Sequence, residues 1–486
     1  MNAPETTPLG GPHPLVIQGG MGVAVSSWQL AREVSRAGHL GVVSGTALDA
    51  VLARALQDGD PGGHRRRALE HFPDQDMVAR VLERYHRPEG REGRPYRPTP
   101  TLTVTPTTAA IELGVLGNFV EVWLAKEGHD GIVGINFLEK IQMGTPIAAL
   151  GAMIAGVDRV LMGAGIPREI PRLLRDLEAG REAGVTIDVA GATRRHVSTI
   201  DPVAVMGAAL PTLRRPQFYA IVSLHSLATY LHRDPEIRPD GFVVEGPPAG
   251  GHSAPPRGRM TLDDRGEPVY GPRDAADLAA IGRLGLPFWL AGAYGTPEGV
   301  EAARAAGAAG VQAGTVFALC AASGLAPSVR GALLEALGQG RLDVRNDPRA
   351  SPTGFPFKIA DVAGSTSDPR VHEERPRLCD LSYLRTPYER PGGGLGYRCA
   401  SEPVDAYLKK GGVLEDTVGR MCLCNGLMAD IGLGQERKDG YVEPPAVTLG
   451  QDLAGARRLL AEHPGGWTAR EAVEWLCSRV REPALG

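Results

Sequence analysis

The sequence predicts an α/β protein folded as a closed (β/α)8 barrel, a TIM barrel, and three observations predict it. Eight short apolar runs recur along the chain, at 15–20, 40–45, 132–137, 159–163, 219–224, 241–246, 287–292 and 309–314. They are continuous rather than alternating, as in strands buried on both faces of a parallel sheet. Most end in glycine, and Ala-rich stretches with helical patterning lie between several of them. Eight parallel strands with intervening helices close most economically into a barrel. A doubly wound open sheet is the rival, but the first strand-to-helix turn lacks its Gly-x-Gly-x-x-Gly.

In chain order, the first run leads into a helix at about 28–37, and the second run follows it. A long insertion, about 46–131, then separates strands two and three. It holds helical patterns at 47–57 and 75–85, a basic Pro-rich stretch at 91–106 and another helix-like run. A second insertion, about 185–217, opens on Val-Thr-Ile-Asp-Val-Ala and predicts extra strands over one rim. The barrel domain is expected to span 13–335. Residues 340–486 form a C-terminal appendage with five of the six cysteines, closing in amphipathic helices near 453–462 and 469–480.

Composition narrows the class. Apolar residues make up 43% of the 486, enough for a core and too many for disorder. Lys plus Arg number 52 against 56 acidic residues, so no bulk field draws nucleic acid or anionic lipid. The apolar stretch 146–157 is too short to span a bilayer. The N-terminus, MNAPETTPLGGPHP, shows neither the basic start nor the apolar core of a secretory signal. Six cysteines in so long a chain do not make a disulfide scaffold. A soluble cytoplasmic protein is expected, with no nucleic-acid or membrane partner and with a homo-oligomer left open.

Barrel enzymes work at the C-terminal ends of their strands, so the residues after each run carry the functional signal. Gln18-Gly-Gly-Met-Gly22 follows strand one and Asn136 ends strand three. Gly250-Gly-His-Ser253 follows strand six, Ala291-Gly-Ala-Tyr-Gly295 follows strand seven, and Gln312-Ala-Gly-Thr315 ends strand eight. Glycines after the last two strands free backbone N–H groups to face an anion, where many barrels hold a phosphate. Glu139, Lys140 and His225 also fall near strand ends, where a solvated rim charge is the ordinary case.

This set, QGGMG, GINF, VVEGPPAGGH, LAGAYG and VQAGT, then Ser351-Pro-Thr-Gly354, resembles the FMN-dependent nitronate monooxygenase (2-nitropropane dioxygenase-like) superfamily in the right order over 13 to about 355. That superfamily includes trans-acting enoyl reductases of polyketide and polyunsaturated fatty-acid synthesis. The resemblance implies an FMN phosphate cradle at Gly292, Ala293, Gly314 and Thr315, with Gln312 preceding it. It implies backbone against the flavin ring at Gly20, Met21 and Gly22, and a flavin contact at Asn136. It places cofactor-binding Gly251 beside the active-site His252. An ordinary imidazole, with a pKa of ~6.5, could exchange protons near neutrality. Two departures stand out: Gly-Gly-Met replaces the family's Ala-Pro-Met, and Ala293 replaces a second glycine in the cradle.

The implied activity is oxidation of an alkyl nitronate, or a similar acidic-carbon substrate, with O2. The alternative is an enoyl reductase using NAD(P)H and FMN on a carrier-bound enoyl thioester, the basic stretch 84–97 then docking an acyl carrier protein. A third reading, from another class, is a non-catalytic scaffold that binds a partner protein. Cys379, Cys399, Cys422 and Cys424 are spaced unlike a standard zinc finger, yet four thiolates could hold a structural zinc or an iron–sulfur cluster. Free buried thiols are the other reading.

Overall fold

Continuous apolar strands need cover on both faces, and the chain provides it by closing the sheet on itself. The computed structural model describes residues 13–480, so residues 1–12 and 481–486, which hold most of the N-terminal stretch read above for a secretory signal and the end of the appendage, lie outside the described residues. The strands are β1 (Val16–Gln18), β2 (Leu40–Ser44), β3 (Val133–Leu138), β4 (Arg159–Gly163), β5 (Gln217–Val222), β6 (Gly241–Glu245), β7 (Phe288–Ala291) and β8 (Gly310–Ala313). Each is parallel to the next, and β8 returns to β1 with Val16 beside Val311 and Gln18 beside Ala313. All eight fall on the expected apolar runs, so the barrel is as expected.

Ile17, Leu40, Val42, Leu161, Tyr219, Val243 and Trp289 are buried against one another inside the barrel. Tyr219 stacks on Trp289 at 4.7 Å, and the indole Nε1 donates to the Pro14 carbonyl at 2.7 Å. These side chains come from early and middle strand positions, so the N-terminal end is a packed plug and only the C-terminal mouth is free for a ligand.

The first insertion is helical, with Leu48–Gln57, His64–Leu69, Gln75–Tyr85 and Thr108–Lys126. Asp74 and Thr107 cap the last two by accepting from Met77 N and Ala110 N. The 19-residue Thr108–Lys126 helix, not 146–157, is the longest apolar element; by length and composition it could cross a membrane. Here it is a core helix. Its Glu112 pairs with Arg80 at 2.7 Å, and its buried Glu121 accepts from Trp28 N at 3.2 Å. The basic stretch is tied down: Arg91 pairs with Asp58 at 2.6 Å and lies over the Tyr96 ring, and Arg97 donates to the Arg84 carbonyl.

The second insertion forms a hairpin, Ala183–Ile187 with His196–Ile200, as expected. The tail adds two hairpins, Val344–Asp347 with Phe357–Ala360 and Thr386–Glu389 with Leu395–Arg398. Its closing helices, Ala454–Glu462 and Ala469–Cys477, bury Leu459 and Leu476 in the same core as the barrel helices. Trp467 between them donates to the Val316 carbonyl just past β8. The tail therefore lies across the barrel mouth and supplies part of its walls.

Candidate active site

The first loop owes its shape to two buried side chains. Gln18 Nε2 donates to Ser26 Oγ at 2.8 Å while its Oε1 accepts from Val42 N. Ser26 Oγ in turn accepts from Met21 N and donates to the Gly19 carbonyl. This holds Gly20 against Asn136 at the end of β3. A Cβ at residue 20 would overlap the Asn136 side chain, lying 2.9 Å from its Cγ, which is why Gly-Gly-Met stands in this loop.

Two adjoining cavities open at the C-terminal ends of the strands, of about 140 and 150 Å³. They share Gly20, Gly22, Glu245, Gly250, Gly251, Gln312 and Thr448 as walls. One is lined mostly by backbone and small side chains: Met21, Gly292, Ala293, Gly314 and Thr315 from the barrel, Gly450 and Asp452 from the tail. The other holds Asn136 and His252 against an apolar wall of Phe137, Ile141, Ile221, Leu384, Leu423 and Leu427. Every residue expected to bind cofactor, and the expected active-site histidine, thus borders one or both cavities.

The backbone-lined cavity fits the anionic end of a cofactor. Gly292 has φ +80°, and a Cβ there would stand 2.8 Å from the Gly246 carbonyl oxygen, so only glycine turns the chain here. Ala293 follows at φ +69°, a left-handed conformation that costs a non-glycine residue roughly 1 kcal/mol and is kept only where the surroundings fix it. Gln312 borders both cavities, and its buried Oε1 has no hydrogen-bond partner. A buried unpaired amide oxygen is expensive, so this atom calls for a donor from a bound group. A flavin ring or its ribityl chain would supply one, and the residues present fit FMN.

In the apolar cavity, His252 Nε2 lies 2.7 Å from Ser351 Oγ, which lies 2.8 Å from Thr353 Oγ1. Phe357 packs edge-on to the imidazole at 4.8 Å. Burial, with the Lys140 charge adding to it, pushes the His252 pKa down to about 3. The ring is therefore neutral at pH 7, and the expectation that it titrates near neutrality is corrected. The group poised there is Glu245, at the end of β6 on both cavities. Burial pushes it up to about 7, opposed by Lys358. Lys358 is wholly buried and pushed down to about 8, again by burial; its Nζ donates to the Pro247 carbonyl at 2.8 Å and to Ser253 Oγ at 2.6 Å. Its backbone N also donates to the Gly251 carbonyl, so the tail strand Phe357–Ala360 is stitched to the Gly-Gly-His loop.

Glu245, Lys358, Ser351 and Thr448 are the residues that sequence reasoning left without a role. Glu245 stood in the quoted VVEGPPAGGH and Ser351 in the quoted Ser-Pro-Thr-Gly, so both had a signal. Lys358 and Thr448 belong to the tail, whose approach to the mouth has no local mark. Of the strand-end charges, Lys140 lies close enough to bear on His252, with its Nζ 3.3 Å from the Phe355 ring centre, whereas His225 accepts from Asp277 N at a helix start.

The expected metal at Cys379, Cys399, Cys422 and Cys424 is corrected. All four border one cavity of about 10 Å³, yet among the described residues no three His, Cys, Asp or Glu side chains converge as ligands. Burial pushes the Cys399 thiol up to about 11 and the Cys424 thiol to about 12, and Cys379 Sγ turns to Ser382 Oγ at 3.4 Å. Spacing could bring the four together without aiming them at one point. Cys424 serves as wall of the apolar cavity as well.

Geometry of this kind defines a barrel enzyme with a bipartite site at its mouth. Residues 203–343, from ahead of β5 to beyond β8, match the family model described as nitronate monooxygenase. Over that stretch, which is less than half of the chain, the protein is similar to the nitronate monooxygenase family. No curated protein matches the chain. Among solved structures it is similar to FabK from Thermotoga maritima (16% identity, TM-score 0.46, covering 96% of this chain and 92% of that one). It is also similar to nitroalkane oxidase from Streptomyces ansochromogenes (15%, 0.45, 96% and 96%). A third is the enoyl reductase domain of MlnA from the macrolactin biosynthesis cluster of Bacillus amyloliquefaciens (11%, 0.39, 74% and 66%). Likeness of this depth decides nothing about activity.

Proposed function

We propose that the protein is an FMN-dependent oxidoreductase that oxidises an anionic carbon acid of alkyl-nitronate type. The observation that carries this is the meeting of a glycine-turned cradle and a buried neutral histidine across seven shared wall residues. Gly292, Ala293, Gly314 and Thr315 would hold the phosphate, Gln312 and Asn136 the polar edge of the ring, and Gly20 to Gly22 its face. When bound, FMN supplies the electron acceptance that amino-acid side chains lack.

The residues around it select and hold the substrate. An apolar wall excludes water, which strengthens every charge interaction within. An anion entering beside His252 would draw its proton affinity upward, because a nearby opposite charge favours the imidazolium. His252 would then take a proton only when substrate is present. Ser351 fixes the ring through Nε2, and Lys140 adds positive potential. Six cysteines that form no disulfide suit a cytoplasmic setting.

The test is anaerobic. Purified protein should take up FMN, and an alkyl nitronate should bleach the flavin absorbance. His252→Ala should keep FMN and lose roughly 10²–10⁴ in kcat, the usual worth of a positioned proton-handling group. Protein that refuses FMN would refute the reading. The apolar wall from Leu384, Leu423 and Leu427 also suits the chain of an enoyl thioester, the second reading. Rapid bleaching by NADPH, with none by nitronate, would establish that one instead. The intramolecular ties of Arg91 and Arg97 leave the 84–97 stretch less free to dock a carrier protein.

A further inference from the structure

Beside the apolar cavity lies a smaller one of about 40 Å³, set into the insertion between β2 and β3. The two share walls at Ala47, Phe137, Leu138, Ile141 and Tyr383, so one molecule could occupy both. The far wall is the Thr108–Lys126 helix at Gly114 and Asn118, one turn apart on one face. Gly114 is required there, because a Cβ would lie 2.6 Å from Ile147 Cγ2.

The polar groups on this mostly apolar lining can be accounted for one by one. Asp49 accepts from the Tyr383 hydroxyl at 2.5 Å, and Thr145 donates to the Ile141 carbonyl at 3.1 Å. Asn118 is only 4% exposed, and its Nδ2 donates to the Gly114 carbonyl at 2.9 Å. A carbonyl can only accept, so the amide cannot be turned the other way. Its Oδ1 is left buried and without a partner. Such an atom costs roughly 1–3 kcal/mol unless something donates to it.

We infer that this cavity is a substrate-tail subsite for an unbranched aliphatic chain that ends in a hydrogen-bond donor, a hydroxyl or an amide N–H. The stem would lie between Phe137 and Ile141, and the terminal donor would meet Asn118 Oδ1. The inference rests on the proposed function for the reacting head, which sits beside His252. It adds the substrate class: a chain with a polar end, not a simple short nitroalkane. A site built to receive a hydrogen bond disfavours the analogue lacking the donor, because the buried acceptor is then left unpaired.

The experiment uses straight-chain carboxylates of increasing length, with and without a terminal hydroxyl, titrated by calorimetry into the FMN-loaded protein and again without added FMN. At one chain length the hydroxylated member should bind about tenfold tighter than its parent, the effect of satisfying one buried acceptor. Asn118→Leu should erase that preference, with the parent bound at least as tightly as by the unsubstituted protein. Ala148→Leu, which fills the cavity, should weaken the long members about tenfold and spare the short ones. No hydroxyl preference at any length, or a preference that survives Asn118→Leu, overturns the subsite, as does a water at Asn118 that no probe displaces. Because heat is the readout, a protein that refuses FMN yet shows the preference would sink the proposed chemistry and keep the subsite.

Discussion

The two halves of the site are built by different means. At the corner between β7 and β8 the walls are main chain: Gly292 and Ala293 turned left-handed, Gly314, and the Thr315 hydroxyl accepting from Gly450 N at 3.1 Å. At the other end the walls are side chains drawn from far apart in the sequence. His252 on the barrel meets Ser351, Phe357 and Leu423 from the tail. A backbone-built corner is written in short motifs, because each glycine answers to its own turn. A side-chain-built end depends on where the tail lies, which no local motif states.

The sharpest way to break the first half is Gly292→Val. A branched side chain at φ +80° would be strained and would press on the Gly246 carbonyl, 2.8 Å from where its Cβ must go. FMN affinity is expected to fall about 100-fold by fluorescence titration, the scale of strain of a few kcal/mol, with the barrel's far-UV circular dichroism unchanged. Wild-type affinity in that variant would show that the cofactor phosphate is held elsewhere.

The second half breaks more gently. Ser351→Ala removes the hydroxyl that holds His252 Nε2 but leaves the imidazole and the cradle. Turnover should drop about tenfold, the loss of one orienting hydrogen bond, with FMN affinity untouched. Ser351→Thr, which keeps the hydroxyl, should recover part of it. Equal losses in FMN affinity and turnover would mean that the two halves are not separable.

The contrast explains what was legible in the sequence. All eight strands showed as apolar runs, since a strand buried on both faces has no polar alternation to hide it. Gly292, Gln312 and Gly314 stood out as candidates because they sit at or next to a strand end, and His252 because it stands in the short Gly-Gly-His element that follows β6. Lys358 was not: a buried lysine reads as a surface residue until its partners, the Pro247 carbonyl and Ser253, are seen. The cysteines misled for the complementary reason. Four thiols within one loop-rich segment look like ligands, but they border a small cavity without a shared focus, and only Cys399 is buried.

Glu245 stands on the seam, facing both cavities, and its titration sharpens the comparison. Its folded pKa of about 7 lies above its ordinary 4.5, with burial as the main cause. A group raised in this way adds stability that is complete below the unfolded value and is lost as pH rises through the folded one. Lys358, at about 8, stays mostly protonated through that window. In Glu245→Gln the carboxylate that supports Lys358 is gone, which lowers the lysine's proton affinity further and makes that variant gain stability with rising pH. Both effects act in one direction. The stability of wild type minus that of Glu245→Gln, from urea denaturation of the FMN-free protein, should therefore fall by roughly 1–3 kcal/mol between pH 5 and about pH 7.5. A difference that stays flat would place Glu245 in contact with solvent and remove it from the seam. A fall that grows steeper with FMN bound would show that the cofactor covers this carboxyl and raises its proton affinity further.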